Sequence, residues 1–241
     1  MLHHGLRDMK SSSNEDTPGT SILESGALTV FYRPRVDESD VESLNDVQRL
    51  FLLIEPEDAP RARLIAIGRK RLPSSSRRER FWGFVDMVLP AADIHTALGA
   101  QTYETKTRGT RHAAAAVAIA SGTYRIEHHD ETHGHLVWSL ERIEESDPVA
   151  RELEPEAEAQ YIVTVANPDA AAWGLEEFPP LQQELFDDIE VHSSVPATFP
   201  QALQERFAER RYVPLDTAEW LDHEGAELVF IGVARKLSVF G

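Results

Sequence analysis

Residues 121–143, SGTYRIEHHDETHGHLVWSLERI, constrain the fold more tightly than any other stretch of the chain. Tyr124 and Ile126 alternate with polar residues on the way in, and Leu136, Trp138 and Leu140 alternate on the way out. That period of two marks a β-hairpin. Both apolar sets must face one core, and a slip of one residue turns every side chain to the other face. The connecting loop therefore has an odd number of residues. The shortest suitable loop is Glu131-Thr132-His133, closed by Gly134 as a glycine bulge. In this register Tyr124 pairs with Leu140 and Ile126 with Trp138. His129 then faces His135 on the opposite face, with Cβ atoms about 5 Å apart.

Those histidines form the first candidate site. His133-x-His135 resembles the strand-borne pairs that offer two imidazoles to one ion, and His129 across the hairpin supplies a third. Zinc is the metal suited to such donors, and Asp130 would orient a ring or complete the set. The competing reading is a polar hairpin tip whose histidines are ordinary surface residues. The chain has no HExxH motif.

The second candidate is YETKTRGTRH, residues 103–112. Lys106, Arg108, Arg111 and His112 alternate with threonine hydroxyls around Gly109, and such a segment can hold a phosphate or carboxylate by charge-assisted hydrogen bonds. It lacks the GxxxxGK[ST] order of a phosphate-binding loop. The alternative is an edge strand protected by its charge.

Elsewhere, Ala27–Tyr32, Leu50–Ile54, Leu64–Ile67, Phe81–Leu89, Tyr161–Val165 and Leu228–Ile231 read as strands. Pro90–Leu98 reads as a short helix, residues 144–158 as an acidic linker crossing solvent. Helices are expected near Leu181–Leu185, over Phe199–Arg211 and after Asp216. Strands joined by short turns, followed by helices, predict an α+β fold: a mainly antiparallel sheet with helices concentrated in the C-terminal part. Residues 1–22 are polar and Ser-rich and are expected to be a disordered tail. Residues 23–241 form one domain, which would subdivide, if at all, near residues 100–112.

Composition narrows the function classes. With no cysteine, disulfide and thiolate chemistry are excluded, which suits the cytoplasm. No apolar run is long enough to span a membrane. A net charge of −17 argues against nucleic acid and anionic membranes as partners. No G-x-S-x-G elbow is present.

The stretches RFWGFVDMV, YETKTRGTRH, HGHL, QYIVTVANP and EGAELVFIGVA together resemble a prokaryotic protein family without an assigned activity. The resemblance spans most of residues 27–235 and implies no ligand, cofactor or catalytic residue. The residues themselves therefore carry the expectation. It is a cytoplasmic binding protein for a small anionic or phosphorylated ligand, held by Lys106, Arg108, Arg111 and His112. Two alternatives stand beside it: a metal-dependent hydrolase using His129, His133 and His135, and an adaptor whose charged faces dock a partner.

Overall fold

The computed structural model describes residues 20–38, 40–68, 70–72, 74–105, 109–129, 133–169 and 196–233. The described chain begins with four strands: β1 (Thr20–Pro34), β2 (Val47–Pro56), β3 (Arg61–Ile67) and β4 (Arg80–Pro90). Helix α1 (Ala91–Leu98) leads to a short ribbon, β5 (Gln101–Thr105) and β6 (Gly109–Ala113). The long hairpin β7 (Val117–His129) and β8 (His133–Ile143) follows, then α2 (Pro148–Leu153) and β9 (Glu158–Ala166). The described chain ends with α3 (Gln201–Phe207), β10 (Tyr212–Pro214) and β11 (Glu227–Gly232).

These strands form a closed antiparallel barrel, which overturns the expected α+β arrangement. The order is β9-β11-β4-β3-β2-β1-β7-β8, and β8 pairs back onto β9 to complete eight strands. Closure satisfies both edges of every barrel strand, where an open sheet would leave two rows of unpaired backbone groups. The C-terminal region contributes strands to that closure. Its described helical pieces are α3 and a 3-10 turn at Ala218–Asp222, where longer helices were expected. The helix expected near Leu181–Leu185 lies outside the described residues.

The apolar run in β2 shows how the wall is built. Leu50, Leu52 and Ile54 point inward with Leu28, Val30, Ile65, Val85, Tyr124, Trp138, Tyr161 and Phe230. Phe51 and Leu53 point outward and pack with Leu64, Phe84 and the Ile94 and Leu98 of α1. This quarter of the barrel is covered on both faces, so its strands are continuously hydrophobic. The inner side chains fill the barrel, as a wall of eight strands allows. Burial of each large apolar side chain contributes about 1.5–3 kcal/mol.

Both ends are plugged. At the end where β1 finishes, α2 inserts Val149, Ala150 and Leu153 into the main core. Its N-cap Asp147 accepts from the N–H groups of Val149 and Ala150 at 2.8 and 3.1 Å, and Tyr32 Oη donates to the same carboxylate. The supposed linker is thus partly core. At the other end Phe199, Phe207 and Trp220 pack ring on ring, with centroids 5.0 to 5.7 Å apart. Beside them Arg63, buried within the barrel, pairs through Nη1 with Glu24 at 2.6 Å and through Nε with Asp222 at 2.7 Å. Tyr124 Oη donates to the same Glu24 oxygen at 2.7 Å.

The β7–β8 hairpin keeps the expected faces but not the expected register. Tyr124 pairs with Trp138, Ile126 with Leu136, Glu127 with His135 and His129 with His133. Three residues still separate the strands, Asp130 to Thr132, so the loop lies one residue earlier than the sequence suggests. The slip is two residues in pairing, an even number, and no side chain changes face. Gly134 has a different task from the one expected. A Cβ there would stand 1.9 Å from the Leu215 carbonyl oxygen, so glycine permits the close passage of the segment after β10.

Candidate functional site

The basic stretch is a two-stranded ribbon separate from the barrel sheet, with Tyr103 opposite Arg111 and Thr102 opposite His112. Its base is tied to the end of β1. Arg33 donates through Nη1 to the carbonyls of Ala114 and Gly99, at 3.0 and 3.4 Å, and through Nη2 to that of Ala97 at 3.3 Å. One guanidinium thus gathers the chain entering and leaving the ribbon. Burial lowers the Arg33 pKa, and nearby Asp86 opposes that loss.

Further out, Asp37 clamps β6. Its backbone N–H donates to the His112 carbonyl at 2.8 Å, and its Oδ1 accepts from the His112 N–H at 2.9 Å. Its Oδ2 lies 2.9 Å from Arg111 Nε. Asp37 makes these contacts from a left-handed conformation, φ 65°, which aspartate tolerates better than most residues. The clamp engages Arg111 through Nε, one of five guanidinium N–H donors. That contact runs through Nε and does not use Nη1 or Nη2.

Arg35, two residues before Asp37, sits beside Lys70. Burial and the charge of Arg35 together hold the Lys70 ammonium below its ordinary range. The His112 ring is held by Thr102, whose Oγ1 lies 3.1 Å from Nδ1. Lys106 and Arg108 lie outside the described residues.

The three histidines come together at the opposite end of β1. His129 and His135 have ring centres 4.4 Å apart, and His133 and His135 are 6.3 Å apart. They stand on the outer face of the barrel, yet His135 is buried. Its Nδ1 lies 2.6 Å from the amide nitrogen of buried Gln160 on β9. Burial, reinforced by His129 and His133, pushes the His135 imidazole down to about 4. His129 Nδ1 meets Thr20 Oγ1 at 2.9 Å, and its Nε2 is 3.3 Å from Glu127 Oε2. The other Glu127 oxygen accepts from Arg125 at 3.0 Å. As they stand, no three metal-ligating side chains among the described residues surround a common point. Asp130, the suggested auxiliary residue, lies outside the described residues.

Sequence reasoning missed Asp37, Arg33, Glu127 and Gln160. Asp37 follows Pro34 at the end of a strand, where aspartate favours a turn, and this was the available signal. Glu127 alternates with His129 on one strand, so period two alone places them on one face. Gln160 gives no comparable local signal, because its role depends on barrel closure. Among the described residues no helix is long and apolar enough to cross a membrane. Comparison with protein-family models, curated proteins and solved structures finds no match.

Proposed function

We propose that this chain is a binding protein for a small anionic or phosphorylated ligand, engaged at the β5–β6 ribbon. The observation that carries the reading is the Asp37 clamp. It fixes His112 through the backbone and Arg111 through Nε, leaving the terminal guanidinium nitrogens to form a forked pair of charge-assisted bonds. Lys106 and Arg108 belong to the same stretch in sequence. The barrel interior is a packed core, so recognition is assigned to its surface. A net charge of −17 disfavours long polyanions and leaves compact anions as the preferred class.

Thermal unfolding in inorganic phosphate, at ionic strength matched with chloride, tests the reading. A ligand at a hundredfold excess over its Kd stabilises by roughly 3 kcal/mol. For a domain of this size that raises Tm by several degrees. The shift should vanish in Arg111→Ala. An equal shift in both proteins would reduce the effect to general salt stabilisation.

A further inference from the structure

The histidine cluster lies at the opposite end of β1 from the ribbon, where three imidazole rings and the Glu127 carboxylate come together on one face. We propose that His129, His133 and His135, with Glu127, close around one divalent transition-metal ion, zinc by donor type, as a structural site on the β7–β8 hairpin. Bond lengths and present positions support this arrangement. Zinc lies about 2.0–2.1 Å from an imidazole nitrogen, so two rings on one tetrahedral ion have centres about 5 Å apart. The observed separations of 4.4 and 6.3 Å lie on either side of that value. His133 is exposed.

The outer partners select the nitrogen that would bind. His129 Nδ1–H can donate to Thr20 Oγ1, leaving the lone pair on Nε2, the atom already 3.3 Å from the Glu127 carboxylate. Gln160 does the same for His135 when its amide is turned so that the oxygen accepts from Nδ1–H. The two amide orientations occupy the same positions, and the Gln160 oxygen as placed has no hydrogen-bond partner. Such contacts orient ligating histidines generally. Arg125 holds the second Glu127 oxygen, so one carboxylate oxygen is directed to the ion. Four protein donors fill a tetrahedral shell, which characterises a structural rather than a hydrolytic zinc site. Metal binding would rotate the four side chains inward from their present positions.

The test uses the full, untagged chain with His3→Ala and His4→Ala, which removes the terminal histidine pair as a competing chelator. Zinc would be titrated from a metal buffer, and cobalt substituted to read coordination from its visible absorption. One zinc per chain is expected, with an intense cobalt band of four-coordinate type. His133→Ala, at an exposed position, should weaken uptake at least tenfold with an unchanged circular dichroism spectrum. Gln160→Ala should weaken it tenfold to a hundredfold, as loss of an orienting partner does. Absence of stoichiometric uptake, or equal uptake by His133→Ala, would overturn the site.

Discussion

Asp37 and His112 bind each other twice: the Asp37 N–H donates to the His112 carbonyl, and the Asp37 carboxylate accepts from the His112 N–H. A residue outside the ribbon thus acts as one unit of a third strand. Asp37→Asn keeps an acceptor and the tolerance for φ 65° but removes the charge that holds Arg111. The expected effect is local, about 1 kcal/mol, seen as faster amide exchange at Gly109–Ala113 with the barrel strands unchanged. Unchanged exchange in the ribbon would show that the Asp37–Arg111 ion pair does not anchor it.

The Arg63 cluster yields a larger effect. Arg63→Met removes a guanidinium that is 2% exposed and leaves Glu24 and Asp222 facing the barrel end, their side chains 14% and 18% exposed. Removing one member of a buried ion-pair set costs about 3–5 kcal/mol. Urea unfolding would measure this as a lower midpoint at unchanged slope. A loss below 1 kcal/mol would place the network in solvent.

Much of the wall was legible from residues alone. Leu50–Ile54 reads as a buried strand because both of its faces are apolar, and both are covered. The strand from Phe81 and the helix from Pro90 follow from local pattern in the same way. Closure was not legible. It depends on β8 meeting β9, from Gly134 opposite Val163 to Ser139 opposite Glu158, and no local signal chooses those partners. The same non-local contacts hid α2, whose buried Val149, Ala150 and Leu153 lie in an acidic stretch. At the candidate sites, parity placed the histidines on one face, but the exact pairing depended on a loop that several odd arrangements satisfy. Asp86 shows a related limit. A bulge lets it lie within an internal strand, buried and near Arg33, a placement that no local pattern announces.

Gly134 links that closure to a substitution. Gly134→Ala brings a methyl group against the Leu215 carbonyl, where neither backbone can yield without moving the hairpin end. A loss of about 1–3 kcal/mol is expected, measurable as a reduced Tm. Gly109→Ala meets nothing within 4 Å and tests only the strain of φ 67°. Its cost should be near 1 kcal/mol.

Glu227 supplies a pH dependence. Burial raises its carboxyl to about 7 from an ordinary value of 4.5. The native state therefore holds a proton that the unfolded chain releases above pH 4.5. Its contribution to stability is full below that pH and falls as pH rises towards 7. The loss is at most about 3.5 kcal/mol, at about 1.4 kcal/mol per pH unit. Glu227→Gln should remove this slope and make the protein more stable than wild type at pH 8. Parallel stability curves for the two proteins from pH 4.5 to 8 would contradict the assignment.

The ribbon's affinity for an anion is the central claim, and nitrogen-15 NMR of the arginine Nε–H groups observes it directly. Phosphate would be titrated at constant ionic strength while the Arg111 side chain and the His112 amide are followed. Saturable shifts of both signals at one Kd, with the barrel amides still and the response lost in Arg111→Ala, are the predicted result. Arg111 and His112 signals that stay fixed, or drift linearly with the exposed arginines, would contradict the account.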